Sequence, residues 1–362
     1  MFYFYNLQKY LLKDIIFLFL IIFFIIFNEN KKIKIGVFGC RHDINIGNYL
    51  IKFAMHVILT ELGYEPFIVT TNHLNVNISF LNRTTNIVEI QNYTNIKENE
   101  YDILVVNSDQ TWRRWDNFFY DYGFLKFAKN WNKLKFVYGA SLGYDFWSFN
   151  ETEENIIKPL ISNFSDVSVR ERGSIKLIEQ HFNISPKLVL DPTLIIDKSY
   201  YLNLIKDYKV DNIYSHNYIF IYHVHRIKIE MKAFVDKVEK ELNSQIYYFK
   251  LNNKSLVEDF LYYIKNSKAV ITNSLHCTIF SILFERPFIT FNFNDTGIER
   301  LKSFSELLGF EERIIYNNQK PNINLLSTPI KINKKIFKEK KIESINYIKR
   351  NLKLYRRNIF KF

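Results

Sequence analysis

The strongest constraint on the fold is a regular alternation of short apolar runs with longer helical stretches. The runs are rich in β-branched and aromatic residues, which is typical of strands buried on both faces of a sheet. Helical stretches between them predict an α/β fold with a parallel, doubly covered sheet. The first series of predicted strands spans residues 33–38, 67–70, 103–106, 136–140, 167–169 and 188–190, with a helix at 48–62 that ends at Gly63.

A second series of the same kind begins near residue 218 and predicts a second domain. Its strands are predicted at 218–222, 246–249, 269–272 and 288–291, and its helices at 227–242, 257–266 and 275–284. The polar stretch 197–217 has no clear periodicity and is interpreted as the linker. The sequence therefore predicts two doubly wound, Rossmann-like domains, 33–200 and 215–330, that face a cleft. Segments 1–32 and 331–362 lie outside both domains.

Polar side chains follow five of the predicted strands. Ligands of doubly wound sheets bind at the carboxyl ends of the strands, so these residues are expected to share one cleft. Five polar strand ends in a two-domain α/β chain favour an enzyme. The residues are Asn107, Ser108, Asp109 and Gln110 after the third strand, Ser141 after the fourth, Arg170 after the fifth, Asp191 after the sixth, and Asn273, Ser274 and His276 after the strand at 269–272.

The net charge of +12 belongs mainly to the C-terminal segment. Residues 331–362 carry 12 Lys/Arg and 2 Asp/Glu, which leaves the rest of the chain close to neutral. A nucleic-acid partner would require basic residues spread over a binding face. The charge pattern therefore argues against nucleic acid as a partner.

The cysteine and histidine content excludes several kinds of site. The two cysteines, Cys40 and Cys277, cannot form a disulfide scaffold or a four-cysteine zinc site. His223 and His225 would point to the same side of a strand, but no nearby cysteine or carboxylate completes a metal site. No G-x-G-x-x-G motif indicates a dinucleotide site. The sequence predicts no bound metal and no cofactor.

The N-terminal segment contains 13 consecutive apolar residues, at positions 15–27. A bilayer-spanning helix needs about 20 such residues, and no small-residue signal cleavage site follows the run. Basic residues flank it on both sides, so the sequence predicts no orientation. Three interpretations stay open: a membrane anchor, a cleaved signal, and a helix peripheral to the fold. We expect a cytoplasmic protein, with attachment to the membrane through this segment as the open question.

The C-terminal segment has the pattern of a basic amphipathic helix. Its apolar residues recur three or four positions apart, which places them on one helical face. We expect this face to pack across the two domains. A basic helix on an anionic membrane surface is the alternative. The apolar residues are Ile342, Ile345, Ile348, Leu352, Tyr355 and Ile359.

Residues 269–291 form the most informative segment for chemistry. A strand turns at Asn273 and Ser274 into a helix, and Ser274 is placed to cap that helix. The first-turn N–H groups and the helix dipole then favour a bound anion. His276 lies in this turn, where an imidazole can act as a general acid or a phosphate ligand. A histidine that is merely hydrogen-bonded to the backbone is the alternative interpretation.

Several blocks of the sequence resemble the polysaccharide pyruvyl transferase family. TNSLHCTIFSILFERPFI resembles the family's T-[DN]-S-[FL]-H-x-x-[VI]-F-S block, and NSDQTW, VYGASLG, VSVRER, LDPTLI and GNYLIKFAMHVILTELGYEPFIVTT resemble others, in the family's order. Together they cover roughly residues 33–313. Two positions depart from the pattern: Asn107 replaces the usual glycine, and Leu275 replaces the usual aromatic residue before the histidine.

The resemblance implies a two-domain fold like that of GT-B glycosyltransferases and transfer of a pyruvyl group from phosphoenolpyruvate to a sugar of a surface polysaccharide or glycan precursor. The product would be a pyruvate ketal. This chemistry needs one acid and one base, for which His276 and Asp109 are the candidates. Arg170 and Arg300 are the candidates for binding the donor's two anions. A buried ion pair is the alternative for Arg170, and a loop-capping carboxylate is the alternative for Asp109. The other predicted substrate-binding residues are Ser274, Asn273, Ser108, Gln110 and Ser141.

Two other functions compete with this one. A GT-B glycosyltransferase would use a sugar nucleotide, but the sequence has no clear nucleotide-binding loop. A catalytically silent glycan-binding protein would share the fold, and the intact Ser274, His276, Asp109 and Arg300 argue against it. The expected partners are phosphoenolpyruvate and a glycan or lipid-linked sugar. The sequence does not identify the acceptor sugar or the oligomeric state.

Overall fold

The structure, a computed structural model, describes residues 32–39, 45–71, 78–114, 119–209, 217–224, 227–250, 256–293 and 298–359. Within these ranges the chain forms two parallel sheets. The predicted α/β architecture with two doubly wound sheets is therefore confirmed. The predicted domain limits themselves stay predictions.

The first sheet has the strand order β3-β2-β1-β4-β5-β6-β7, with every neighbouring pair parallel. Its central strands β1 and β4 are almost entirely buried, as their apolar sequences require. The strands are β1 (Lys34–Phe38), β2 (Glu65–Thr71), β3 (Ile87–Ile90), β4 (Ile103–Val106), β5 (Leu134–Ala140), β6 (Asp166–Val169) and β7 (Lys187–Leu188).

The second sheet has the order β12-β11-β10-β8-β9 and is also parallel. Strands β8, β10 and β11 are buried throughout and form its centre. The strands are β8 (Tyr218–Tyr222), β9 (Gln245–Phe249), β10 (Ala269–Thr272), β11 (Phe288–Phe291) and β12 (Ile314–Ile315).

The helices follow the strands in the alternation that the sequence predicts. Helix α1 begins after Asn45, whose side chain accepts a hydrogen bond from the Gly47 amide, and is followed by Gly63 at φ +85°. The helices are α1 (Ile46–Glu61), α2 (Ile78–Thr84), α3 (Phe119–Phe124), α4 (Glu151–Ile161), α5 (Arg172–Phe182), α6 (Pro192–Ile195), α7 (Lys198–Leu204), α8 (Ile229–Leu242), α9 (Val257–Asn266), α10 (Leu275–Leu283), α11 (Ile298–Leu308) and α12 (Lys334–Ile359). Short 3-10 turns lie at Tyr93–Asn95, Lys126–Ala128, Glu311–Arg313 and Ile323–Leu326.

Three details differ from the sequence prediction. The edge strands β3 and β12 were not predicted, because β3 is only partly buried and β12 has just two residues. Strand β7 ends at Leu188 and not at residue 190, since the Leu190 amide donates to Ser344 Oγ at 2.9 Å and not to the sheet. The predicted linker begins with α7, whose N-cap Asp197 accepts from the Ser199 amide at 2.8 Å. Residues 210–216 of that linker lie outside the described ranges.

The buried apolar residues form three clusters, and the largest of them joins the two halves. This shared cluster takes Tyr49 from α1, Tyr201 from α7, Phe280 from α10 and Ile348 from α12. A second cluster packs on the other face of the first sheet, and a third on the other face of the second sheet. Burial of apolar area is the main favourable term in such an interface, so the two halves are held together by a continuous core.

Helix α12 packs on the first sheet although it follows the second sheet in the chain. Tyr347, Ile348 and Leu352 are buried, and Tyr347 Oη donates to the Val137 carbonyl at 2.8 Å. The expected packing of the C-terminal helix across the domains is what the structure shows. The buried face is rotated from the predicted one, because Tyr347 is buried and Ile342 is 49% exposed. The side chain of Ile359, also predicted on that face, lies outside the described residues.

Replacing Ile348 by alanine is expected to lower the free energy of unfolding by about 2–4 kcal/mol, since a fully buried isoleucine loses its contacts and leaves a cavity. Ile342→Ala is the matched control, because Ile342 lies on the same helix and is half exposed; its effect should stay within about 0.5 kcal/mol. Urea unfolding of both variants measures the difference. Equal effects would show that α12 does not depend on the packing seen here.

The N-terminal apolar segment falls within residues 1–31, which lie outside the described ranges. Of the helices that are described, none combines the length and the hydropathy needed to cross a bilayer. The three interpretations of the N-terminal segment therefore stay predictions.

Candidate active site

The structure brings four of the predicted residues together at the carboxyl ends of the strands. Asp109 follows β4 and Arg170 follows β6 in the first half of the chain, while His276 lies in α10 and Arg300 in α11 of the second half. Charge interactions link all four, since Arg170, His276 and Arg300 all act on the Asp109 carboxylate. The predicted cleft between the halves therefore collects the predicted acid, base and cations.

A buried ion cluster forms the floor of this site and consists of Arg170, Asp109, Asp191 and Glu171. Arg170 Nη2 donates to Asp109 Oδ1 at 2.5 Å, and Arg170 Nη1 donates to Asp191 Oδ2 at 2.7 Å. Glu171 Oε2 lies 3.9 Å from Arg170 Nε. One guanidinium thus faces three carboxylates, all of them buried. Such a cluster survives away from water only because its charges are paired.

The cluster shifts the pKa values of its members in opposite directions. Burial acts to raise the pKa of Asp109, but Arg170, His276 and Arg300 outweigh it and hold that pKa below its usual value. Asp191 follows the same pattern, because contacts with His276, Arg170 and Thr193 overcome burial and keep its pKa well below the usual range. For Glu171, burial prevails over the attraction of Arg170 and raises the pKa. Asp109 and Asp191 are therefore carboxylates at neutral pH.

Asp109 sits in a loop with an unusual backbone. Its φ of +84° is in the left-handed region, where aspartate is one of the few non-glycine residues that is tolerated. The Asp109 carbonyl accepts from the Ser141 amide at 2.9 Å, which fixes this loop to the end of β5. The Asp109 side chain accepts a hydrogen bond from Arg170. It therefore does not act as the loop-capping carboxylate that the sequence left open as the alternative.

The remaining predicted residues mostly stabilise the loops that carry the site. Ser108 Oγ donates to the Gly139 carbonyl at 2.8 Å, and Ser141 Oγ accepts from the Gly143 amide at 3.1 Å. Asn273 Oδ1 accepts from the Val224 amide at 2.8 Å, and Ser274 Oγ accepts from the Cys277 amide at 3.4 Å as the N-cap of α10. The predicted capping role of Ser274 is thus present. Contact of these side chains with a substrate stays a prediction.

His276 lies against the first turn of α1, which belongs to the other half of the molecule. A Cβ atom on Gly47 would lie 2.0 Å from His276 Nδ1, so only glycine leaves room for the ring. His276 Nε2 is 3.6 Å from Asp191 Oδ2 and makes no hydrogen bond to any described residue. The side chain is 4% exposed. A buried ring nitrogen without a hydrogen bond is costly, so Nε2 is a candidate to donate to a bound ligand.

Gly47→Ala is expected to lower turnover at least tenfold, because the added methyl group must displace the His276 ring, and a misplacement of about 1 Å can cost up to 10²-fold. Gly39→Ala is the control, since a Cβ there would lie at an ordinary 3.6 Å from Asn107 Cβ. Steady-state turnover and melting temperature of both variants separate a local effect from unfolding. Full turnover of a folded Gly47→Ala protein would show that the position of His276 is not required.

Arg300 is held differently from Arg170. With its amide oxygen facing Arg300, Gln110 accepts from Arg300 Nη1 at 2.7 Å and from Nη2 at 2.9 Å. Among the residues that the structure describes, Arg300 forms no ion pair within 4.0 Å, and its Nε has no hydrogen-bond partner. Burial and the nearby Arg170 lower the pKa of Arg300 to about 10, although Asp109 and Glu171 act to raise it. Arg300 is thus a partly buried cation whose direct partner is a neutral amide.

Sequence reasoning gave no role to three residues that shape the site. Asp191 was placed at a strand end, but its contact with Arg170, 21 positions earlier, has no local signal. Glu171 belongs to no predicted site, and Gly47 appears in the sequence only as part of a helix block. The closeness of Gly47 to His276, 229 positions later in the chain, appears only in the folded molecule.

No metal site of three or more His, Cys, Asp or Glu residues occurs in the part of the chain that the structure describes. His225, one of the two histidines weighed as metal ligands, lies outside the described residues. Cys277 is buried, and burial raises the pKa of its thiol far above the usual value. This thiol is therefore not a nucleophile at neutral pH.

Comparisons with known proteins agree with this fold. The family model described as polysaccharide pyruvyl transferase matches residues 45–295. The putative UDP-N-acetylglucosamine 2-epimerase of Listeria monocytogenes is 14% identical, with a TM-score of 0.50 over 82% of this chain and 86% of that chain. The UDP-GlcNAc 2-epimerase of Neisseria meningitidis is 12% identical, with a TM-score of 0.50 over 89% of this chain and 93% of that chain. No curated protein sequence matches significantly.

At these identities the two epimerase structures show the fold alone, and they confirm the predicted GT-B-like architecture. The family match spans most of the chain and includes every residue of the site except Arg300. It also makes the protein an enzyme of the transferase class. The chain belongs to the polysaccharide pyruvyl transferase family.

Proposed function

We propose that the protein transfers a pyruvyl group from phosphoenolpyruvate to two hydroxyl groups of a sugar in a surface polysaccharide or glycan precursor. The products are a pyruvate ketal and inorganic phosphate. The family supports a transferase that acts on a glycan. The donor and the ketal are what the family resemblance implies, and the charges of the site support an anionic donor.

The observation that carries this proposal is the state of Arg300. A cation withdrawn from water beside a neutral partner costs free energy unless an anion joins it. Arg300 is such a cation, since its side chain is partly buried and donates to the Gln110 amide. Its guanidinium can bind a carboxylate or a phosphate with two parallel hydrogen bonds. An anionic group of the donor would therefore give Arg300 the charged partner that no described residue supplies within 4.0 Å.

Two helix N-termini support the same conclusion. Helix α10 begins at Leu275, and helix α1 begins at Ile46 beside the His276 ring. The N–H groups of first turns and the helix dipole favour a bound anion. Since the His276 ring lies at both of them, we propose that the second anionic group of phosphoenolpyruvate binds here. Arg300 then binds the first.

The proton balance assigns the remaining roles. Each acceptor oxygen forms a bond to C2 of the donor, the bond from C2 to the phosphate oxygen breaks, and the methylene carbon becomes a methyl group. Of the two hydroxyl protons, one ends on that carbon and the other leaves with phosphate. We assign His276 as the acid that delivers a proton to the methylene carbon or the leaving phosphate. We assign Asp109 to accept the hydrogen bond of the attacking hydroxyl, with basicity limited by its lowered pKa.

Arg170 takes a different part from the predicted one. It already faces Asp109, Asp191 and Glu171, so its charge is balanced without a donor. This arrangement is the buried ion pair that the sequence left open as the alternative. We propose that Arg170 positions the Asp109 carboxylate. We also propose that Asp191 positions two side chains, Arg170 through a hydrogen bond and His276 through the 3.6 Å contact with its Nε2.

A thermal-shift experiment tests the donor. Phosphoenolpyruvate is expected to raise the melting temperature of the full-length protein in a concentration-dependent way, because a ligand that binds only the folded state stabilises it. Arg300→Gln should abolish the shift. Lys302→Gln should leave it intact, because Lys302 is exposed and pairs with Glu299 on the same helix.

The outcomes separate this proposal from its competitors. A shift with UDP-sugars or other nucleotides but none with phosphoenolpyruvate would reject the pyruvyl donor in favour of a nucleotide-sugar glycosyltransferase. A shift with glycans alone would favour a silent glycan-binding protein. Release of phosphate from phosphoenolpyruvate, dependent on added glycan, would establish the reaction.

We further propose that the protein works at the cytoplasmic face of a membrane, through the basic side of α12. Lys349, Lys353 and the exposed Leu354 line a groove with Lys187 of the edge strand β7. Basic residues beside an exposed apolar one fit an anionic bilayer surface. Sedimentation with phosphatidylglycerol-containing vesicles should decrease in the double variant Lys349→Gln and Lys353→Gln. The control, Lys232→Gln with Lys240→Gln on α8, should sediment normally, and equal sedimentation of both would reject this surface.

A further inference from the structure

The loop after β5 presents two aromatic rings beside the site. Tyr144 and Phe146 lie with ring centroids 5.2 Å apart, and Phe146 is 54% exposed. The loop turns at Gly143, which has φ +73°. A Cβ atom at Gly143 would lie 2.7 Å from Arg113 Cδ, so the Arg113 side chain occupies this space. Its guanidinium carbon lies 4.4 Å from the centre of the Tyr144 ring.

The same loop is fixed to the helix that carries Arg300. Asp145 Oδ2 accepts from the Ile298 amide at 3.0 Å, and Asp145 Oδ1 accepts from the Glu299 amide at 3.2 Å. A carboxylate in this position caps a helix N-terminus. Because Asp145 lies between the two aromatic residues, the cap holds both rings at a fixed place close to Arg300.

An exposed phenylalanine on a fixed loop at a cleft is well suited to binding one face of a sugar ring. Leaving Phe146 exposed forgoes part of the free energy that burying such a side chain would yield. The face of an aromatic ring is negatively polarised, and the C–H groups on one face of a pyranose are positively polarised. The Arg113 guanidinium beside the rings has N–H donors for sugar hydroxyl groups.

We propose that Tyr144 and Phe146 form a platform on which a sugar ring of the acceptor stacks, with Arg113 at its edge. This inference rests on the proposed function, since it gives the glycan acceptor its place. Arg113 connects the platform to the reaction centre, because it lies three residues after Gln110, the partner of Arg300. The acceptor would thus approach from the β5 side of the cleft.

Saturation-transfer NMR on the full-length protein tests the platform, with methyl glycosides of glucose, galactose, mannose and N-acetylglucosamine as probes and phosphoenolpyruvate present. At least one glycoside is expected to receive saturation at its ring C–H protons. Phe146→Ala should weaken that glycoside's affinity about two- to tenfold, the usual range for an aromatic contact. Phe146→Tyr should restore binding, because it keeps the ring.

Tyr248→Ala serves as the matched control, since Tyr248 is 40% exposed but lies on the edge strand β9 of the second sheet. It should leave glycoside binding unchanged. Equal affinity in wild-type and Phe146→Ala protein would overturn the platform, as would the absence of saturation with every glycoside. The melting-temperature shift with phosphoenolpyruvate is measured in parallel on the same variants. If the platform is overturned but phosphoenolpyruvate still raises the melting temperature, the proposed donor is unaffected. If phosphoenolpyruvate does not raise the melting temperature of the wild-type protein, the donor itself is rejected.

Discussion

Replacing His276 by alanine is expected to lower the turnover number of pyruvyl transfer by about 10²-fold or more, the usual effect of removing a general acid. The imidazole lies at two helix N-termini, with Nε2 3.6 Å from Asp191 Oδ2 and without a hydrogen bond to any described residue, so it is placed to donate a proton to a bound ligand. Phosphate release from phosphoenolpyruvate, with an acceptor that supports wild-type turnover, measures the loss. Donor affinity should change much less than turnover.

His56→Ala is the control for this prediction. His56 also belongs to the α1 region, but it lies nine residues beyond Gly47, about 13 Å further along the helix, and accepts from the Asn86 amide at 3.2 Å. Its removal should leave turnover near the wild-type value. If His276→Ala protein retained turnover with unchanged donor affinity, the imidazole would be a structural side chain and another group would have to supply the proton.

Replacing Arg170 by leucine is expected to lower the free energy of unfolding by about 3–5 kcal/mol, because it leaves buried carboxylates without their cation. Lys198→Met is the control. Lys198 pairs with Glu285 at 3.0 Å, but both side chains are largely exposed, and such pairs contribute about 1 kcal/mol or less. Urea unfolding at pH 7 measures both variants, and equal effects would show that the cluster is not what stabilises this region.

Acidification should reduce the effect of Arg170→Leu. In the wild-type protein the folded-state pKa values of Asp109 and Asp191 are below their unfolded values, so their stabilisation is full at neutral pH and is lost as the pH falls. Without Arg170, Asp109 loses the largest contribution that lowers its pKa, so that pKa rises and the carboxylate of the variant is protonated first as the pH falls. The gap in unfolding free energy should therefore narrow between pH 7 and about pH 4. A constant gap would assign the loss to packing and not to charge.

Much of the fold could be predicted because each central strand is encoded by a short apolar run in the local sequence. Strands β4, β8, β10 and β11 are continuous apolar runs, and their bounds agree with the prediction. Strand β3 lies at the edge of the sheet, is only partly buried and contains a glutamate. Its sequence therefore resembles that of a loop. The end of β7 depends on Ser344, more than 150 residues away, and no local pattern contains that information.

The site could be predicted in part for the same reason. The rule that ligands bind at the carboxyl ends of parallel strands located Asp109, Arg170 and His276 correctly in one cleft. It could not say which arginine is already neutralised, because that depends on the contact of Arg170 with Asp191 across two loops. Nor could it reveal that Gly47 leaves the space for His276. Pairings between distant segments decide these points.

The return of α12 to the first sheet limits how the enzyme can move. Many two-domain enzymes open and close by a hinge rotation of one domain against the other. Here helix α12 follows the second sheet in the chain and returns to the first sheet. Wide opening would break the bonds from Tyr347 to Val137 and from Leu190 to Ser344. We therefore expect the two halves to move against each other by small amounts and not by a large hinge rotation. Entry of the donor and release of the product would then depend on these small motions, which makes product release a step that can limit the rate.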